Sequence, residues 1–441
     1  MNRQLGGLRD QGVRFVRVLW CDNANVIRAK AVHLEAVERG GGAVGISAAQ
    51  QALPVMVDAV VPGGGLGPVG EVQLVPDWGT LHALPYLPGY AEAVGDMVVR
   101  GQPWEHCPRD FLKRQVARLA DHGLEAQAAF ENEFFLLRPG PGQPVPNDDT
   151  VFAAAGAMNG VGELVLELSE ALGAQGLSVE GYYPESGPGQ HELAVRYREA
   201  LGAADQQLVY RETVRAVAAR YGLTASFLPK VFADKAGSGC HLNLSLWRGG
   251  ENVTGDQEGG RLGPEARSFV AGVLAHLRGL CALTLPSANS YRRIRPHFWA
   301  GAFTAWGVDN REAAVRVSSG GLEGPPGRFE LKSVDATANP YLALGAVLAA
   351  GLDGLGRGLT LPPEARGDPG LLSEAERAEM GAEPLPTNLG EAVAALEQDD
   401  VLLGALGAAR ARTFLAVRRA EWEALKDATF DEEVALLLGR Y

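Results

Sequence analysis

Short runs of alternating apolar and polar residues recur along the chain, and each predicts a strand that gathers its polar residues on one face. In Phe130-Glu131-Asn132-Glu133-Phe134-Phe135, Glu131 and Glu133 stand two apart and so share a side. Cys240-His241-Leu242-Asn243-Leu244-Ser245-Leu246 sets His, Asn and Ser on one face against Cys and three Leu on the other. Arg328-Phe329-Glu330-Leu331-Lys332 and Glu192-Leu193-Ala194-Val195-Arg196-Tyr197 repeat the arrangement. Such faces are built to meet around something polar. Carboxylates at this density raise one another's pKa unless a cation sits among them, and Mg²⁺ or Mn²⁺ favours oxygen ligands.

The same reading predicts strands over 13–19 and 26–32, joined by the hairpin connection Cys21-Asp22-Asn23-Ala24-Asn25, and another over 71–75. Glycine-rich stretches at 40–45 and 62–70 are not followed by Gly-Lys-Ser/Thr and read as flexible loops. From 108 to 122 the spacing of Phe111, Leu112, Val116 and Leu119 marks an amphipathic helix. The domain boundary is placed just before it, giving units 1–106 and 107–441. Further helices are predicted over 164–172 and 205–221, the second capped by Gly222, with loops at 139–147 and 321–327. The nearly all-apolar stretch 341–355 is too short and too glycine-punctuated to span a membrane and reads as a buried helix. A Pro- and acid-rich excursion over 362–386 precedes a helical, acidic end at 389–441.

A chain of 441 residues predicts two domains or one large α/β unit. Its net charge of -13 argues against nucleic acid as the main partner, because phosphate binding calls for a basic surface. No apolar run approaches a membrane span and residues 1–4 lead into no signal-peptide core, so a cytoplasmic protein with no membrane partner is expected. Cys21, Cys107, Cys240 and Cys281 lie far apart without C-x-x-C spacing, and read as small buried hydrophobes.

Seven segments in order resemble glutamine synthetase: 130–135, Glu185 with 188–192, 237–241, 289–293, 310–316, 328–330 and 338–341. The resemblance implies an α+β chain, with an N-terminal β-grasp domain and a catalytic domain of curved antiparallel sheet and helices. It implies homo-oligomeric rings, commonly dodecamers of two stacked hexamers, in which one subunit's β-grasp domain completes its neighbour's active site. Carried over by position, Glu133, Glu185 and Glu192 match the ligands of one divalent metal and Glu131, His241 and Glu330 those of the other. Arg311 and Arg316, five apart in an expected strand, match phosphate-contacting positions, suited to a planar fork of donors. Asn243, Ser245 and Arg328 would line the nucleotide site, with Tyr197 stacked on adenine or, alternatively, a core residue. Arg293 matches an arginine near the substrate carboxylate, and Gly237 belongs to the same acceptor region.

The chain departs from the family on the acceptor side. Ala236 stands where an asparagine precedes the metal histidine, Trp299 where a flap glutamate helps deprotonate ammonium, and Lys332 where an arginine follows the last metal glutamate. The loop Gly45-Ile46-Ser47-Ala48-Ala49-Gln50 lacks the ammonium-binding aspartate, and 368–372 lacks the tyrosine adenylylated in some bacterial enzymes. With both carboxylates gone, attraction for NH₄⁺ weakens, while Trp299 offers an aromatic wall for a larger amine, by cation-π contact among others. Segments 296–301 and 329–333 are more similar to the synthetase-like domains of fungal FluG and plant nodulin-type proteins, and to bacterial γ-glutamyl-amine ligases. The expected activity is therefore that of an ATP-dependent carboxylate-amine ligase working through an acyl phosphate, with glutamate and an organic amine as substrates. Two alternatives stand beside it: glutamine synthesis with ammonia, and a non-catalytic ring acting as scaffold or nucleotide sensor.

Overall fold

The computed structural model describes residues 2–140, 142–256, 262–319 and 327–441. The N-terminal part builds a 7-stranded sheet whose main path runs Ile27–His33, Phe15–Cys21, Tyr90–Val99, Glu71–Pro76, Val44–Ser47. Phe15–Cys21 lies parallel to Tyr90–Val99 and antiparallel to Ile27–His33, the mixed pairing of a β-grasp sheet. The hairpin connection after Cys21 is no surface turn. Asp22, Asn23, Ala24 and Asn25 are buried, with Asn25 in the left-handed region at φ 58°, and the catalytic part holds them at four points. Asn25 Nδ2 donates to Ala336 O at 2.8 Å, Asn339 Nδ2 to Asp22 O at 2.9 Å, Arg418 to Asn23 O at 3.0 Å, and Tyr441 Oη to Ala24 O at 2.9 Å.

The rest of the chain forms an 11-stranded sheet whose main path of seven runs Val179–Pro184, Gln190–Val195, Glu125–Arg138, Cys240–Arg248, Arg328–Leu331, Val315–Ser318, Trp306–Val308. Its pairs are antiparallel except the last, which is parallel. In Glu125–Arg138, burial alternates from Ala126 to Asn132 and then becomes continuous, so both faces are covered beyond Glu133. Helices Pro108–Asp121, Ala200–Arg220, Pro264–Thr284 and Pro340–Arg357 carry the main hydrophobic core behind this sheet. Pro264–Thr284 is apolar and long enough, by length and composition, to cross a membrane, contrary to the sequence expectation, yet 78% of its apolar window is buried in the protein. It crosses Pro340–Arg357 at backbone contact. A Cβ on Gly272 would lie 2.2 Å from Ala350 O, and one on Gly354 2.1 Å from Ser268 O.

Several expectations shift. The helix expected from 205 starts at Ala200, because the Glu199 side chain accepts from the N–H of Leu201 and Gly202 and caps it there. Val145–Pro146 pairs with Glu125–Arg138 within the expected loop 139–147. Of the expected loop 321–327, all but Gly327 lies outside the described residues. The excursion 362–386 contains the 3₁₀ turn Pro369–Leu371 and the helix Glu374–Glu379.

Candidate active site

The strand register places the site's residues in one oblique row. Tyr183 is opposite Glu192, and Glu192 opposite Glu133. Two residues back along the same strand, Glu131 is opposite His241. Two residues on from His241, Asn243 is opposite Glu330, which is opposite Arg316. Each step of two keeps the same face of the sheet, so all of the row but Asn243 projects into one space.

That space is a cavity of about 400 Å³, lined among others by all six acidic and histidine candidates, Gly237, Arg293, Trp299, Arg311, Arg316 and Lys332. The six candidates form two groups, Glu131/His241/Glu330 and Glu133/Glu185/Glu192, with ligand atoms in each lying within 4.8 Å of one another.

The groups differ in charge balance. In the first, His241 Nδ1 is 2.9 Å from Glu330 and 3.7 Å from Glu131, Arg316 is 3.0 Å from Glu330, and Lys332 Nζ is 3.3 Å from it. Burial pushes the Glu330 carboxyl up, but His241, Lys332 and Arg316 together hold it well below the ordinary value. Burial likewise opposes ionisation of Glu131, and the nearby His241, with the hydrogen bond from Asn243, overcomes this and lowers its pKa. The second group has only His241 Nε2, 4.0 Å from Glu133, as an ion-pair partner among the described residues. Burial, followed by the charges of Glu131, Glu133 and Glu185, pushes Glu192 up to about 10. Glu185 is raised by burial and by Glu133. Two carboxylates that resist ionisation beside a third, with little cationic company, suit a divalent cation. Both donor sets, oxygen with at most one imidazole, fit Mg²⁺ or Mn²⁺.

Gly239 leaves room for this. A Cβ there would sit 2.6 Å from His241 Nε2 and 3.3 Å from Arg293 Nη1. Arg293 is buried and donates through Nη2 to the carbonyls of Lys332 and Val334 at 3.2 and 2.9 Å.

Arg311 lies in a turn, not in the expected strand, which starts only at Val315. Positions five apart on a strand face opposite ways. The turn at 310–314 is what lets Arg311 and Arg316 line the same cavity. Asn243, Ser245, Arg328 and Tyr197 fall outside the cavity lining. Asn243 donates to Glu131 at 3.2 Å and accepts from Arg328 at 2.9 Å, so these two continue the row. Ser245 accepts from the Trp247 indole at 2.9 Å, and the Tyr197 ring lies 6.2 Å from Trp247. Tyr197 is exposed, beyond the end of the strand Gln190–Val195, which removes the core alternative.

Other residues in the cavity went unassigned from sequence. Gln190 Nε2 donates to Glu133 at 2.8 Å, and Tyr183 Oη to Glu192 at 3.1 Å. Both stand two residues before an assigned glutamate, a signal that the alternation already carried. Lys230, whose pKa burial and the neighbouring Arg295 lower to about 8, and the aromatic residues Phe152 and Phe298 also line the cavity. No periodicity marks Lys230 or Phe152.

Family models for the glutamine synthetase N-terminal domain and the glutamine synthetase catalytic domain match residues 1–104 and 105–437. The chain is 42% identical over 432 residues to a γ-glutamylpolyamine synthetase of Streptomyces coelicolor, covering 94% of this chain and 91% of the relative. It is 31% identical over 452 residues to a type-1 glutamine synthetase of Dictyostelium discoideum, covering 97% and 89%. Among solved structures, GmaS in complex with ADP superposes with a TM-score of 0.86 at 31% identity over 99% of each chain.

Proposed function

The chain belongs to the glutamine synthetase family, and from that premise we propose that it joins the γ-carboxylate of glutamate to an organic amine of the polyamine type. As a family member it is an ATP-dependent carbon-nitrogen ligase acting on small molecules, and its chemistry uses a divalent metal. Glu131, His241 and Glu330 would hold one ion and Glu133, Glu185 and Glu192 the other, with Mg²⁺ or Mn²⁺ the ions suited to those donors. When bound, such ions neutralise charge on the nucleotide phosphates and the acceptor carboxylate.

The chain's own groups position the reactants. Arg311 and Arg316 on the cavity wall would grip the transferring phosphoryl group with planar donor forks. Asn243, Ser245, Arg328 and Tyr197 would carry the rest of the nucleotide along the sheet face. Arg293, together with Gly237 and Lys332, would take the amino-acid end of glutamate. The γ-phosphoryl group passes to the γ-carboxylate; the amine then attacks the acyl carbon, loses a proton and expels phosphate, leaving an amide and ADP.

One observation supports an organic amine over ammonia. Every carboxylate lining the cavity among the described residues, Glu131, Glu133, Glu185, Glu192 and Glu330, belongs to one of the two metal groups, so none is left to attract NH₄⁺. The cavity wall carries Phe152, Tyr183, Phe298 and Trp299 instead, aromatic surface suited to an alkylammonium chain. The name of the Streptomyces relative supports the same class. The intact ligand groups speak against a scaffold without catalysis. Phosphate release with Mn²⁺ or Mg²⁺, ATP, glutamate and a panel of amines tests the reading. Turnover with spermidine or putrescine at micromolar to low millimolar levels is expected, and saturation by ammonium in that range with none by any organic amine overturns it.

A ring assembly is part of the proposal. The cavity lining among the described residues runs from Glu131 to Lys332 and includes nothing from the N-terminal sheet, leaving a side for a second copy's N-terminal domain to close. Light scattering of the eluted protein should give a mass several times that of one chain.

A further inference from the structure

The segment that carries Trp299 is held in a conformation that its own sequence disfavours. His297 and Trp299 both adopt left-handed backbone angles, φ 66° and 53°, and each costs a residue with a side chain on the order of 1 kcal/mol. Surrounding residues must offset this. His297 Nδ1 lies 2.6 Å from Asp368 Oδ2, and the Arg311 guanidinium sits 5.6 Å from the centre of the Trp299 ring. The backbone N–H of Trp299 donates to Glu312 Oε1 at 2.9 Å. Glu312 is fixed in turn, since its own N–H donates to Asn310 Oδ1 at 3.0 Å. Asn310 Nδ2 donates to the carbonyls of Ala365 and Gly367 at 2.7 and 2.9 Å. The excursion after residue 362 thus braces both ends of the aromatic segment.

We propose that Glu312 is a positioning residue for amine selection: by holding the Trp299 backbone it keeps the indole on the cavity wall, against which an alkylammonium is admitted in preference to a small nucleophile. This rests on the organic-amine reading above. Glu312 does not line the cavity itself, so its effect passes through Trp299, which is 55% exposed and whose ring is otherwise contacted by the Arg311 guanidinium.

The test compares spermidine with hydroxylamine as nucleophile in the full-length protein, at saturating Mn-ATP and glutamate. Glu312→Ala is expected to raise KM for spermidine about tenfold, the size of a lost aromatic contact to an ammonium. The kcat, the KM for ATP and the rate with hydroxylamine should stay within about twofold of the parent. Glu312→Gln, which keeps a carbonyl acceptor for the Trp299 N–H, should restore most of the spermidine KM. The double variant Glu312→Ala/Trp299→Leu should be no worse towards spermidine than Trp299→Leu alone. Equal loss with both nucleophiles, a raised KM for ATP, or additive effects in the double variant overturns the proposal while leaving the amine reading intact. A parent protein that forms hydroxamate but no spermidine adduct overturns both.

Discussion

At the scale of single residues, the two ligand groups are electrostatic opposites. Glu330 has three cationic neighbours and is ionised in the folded chain, whereas Glu192 is pushed from 4.5 to about 10 by burial and three carboxylates. Between those two values the folded state without metal keeps a proton that the unfolded chain has lost. The native state then binds more protons than the unfolded state, so stability falls as pH rises through that window. A divalent ion in place of that proton removes the effect, and its uptake releases a proton. Thermal melts between about pH 5 and 9 should decline steadily with EDTA and much less with Mn²⁺; parallel curves would show that Glu192 is not the group being titrated. The alternation in 130–135 and 240–246 was enough to mark Glu131, Glu133 and His241. It could not indicate which carboxylates share a cation, because that depends on which strands lie side by side.

At the scale of elements, boundaries were legible wherever periodicity or a cap was strong. The helix Pro340–Arg357 follows its apolar run and ends at Gly358 in the left-handed region, as helix ends favour. Arg311 was misplaced because residues 311–314 carry no alternation; Asn310 turns the chain there by accepting the Glu312 N–H. The glycines of 341–355 suggested punctuation, whereas the structure gives them a packing role against a partner helix. At Gly354 a methyl group would meet the backbone of Ser268 at 2.1 Å, while at Gly356 nothing lies within 4 Å. Gly354→Ala should therefore destabilise by about 1–3 kcal/mol or more. Gly356→Ala, in the same helix, should be neutral or mildly stabilising through helix propensity. Urea denaturation of both variants measures the contrast, and equal values would mean that the helices separate without cost.

At the scale of the whole molecule, Arg109 fastens the two sheets' domains together. From the helix Pro108–Asp121 it reaches Asp77 at 2.8 Å and Asp96 at 3.0 Å in the N-terminal domain, and Asp205 at 2.8 Å in the catalytic domain. Tyr341 Oη donates to the same Asp205 at 2.7 Å. Removing a buried cation leaves its carboxylates uncompensated, so Arg109→Ala should cost about 3–5 kcal/mol and loosen the N-terminal domain first. Hydrogen exchange should show protection lost in 71–99 before the catalytic sheet, and uniform loss would contradict this order. The buried connection 22–25 belongs to the same junction. Its sequence reads as a turn, since Asp and Asn suit turns anywhere, and Ala336, Asn339, Arg418 and Tyr441 approaching from distant parts of the chain make it an anchor. The sequence by itself determined the alternating strands at 130–135 and 240–246, the chemistry on their faces and the family, because alternation and residue type are local properties. The tertiary structure alone decided how those faces pair into two charge environments, how 362–371 braces Trp299, and how the hairpin is buried, because each depends on contacts between residues tens to hundreds of positions apart.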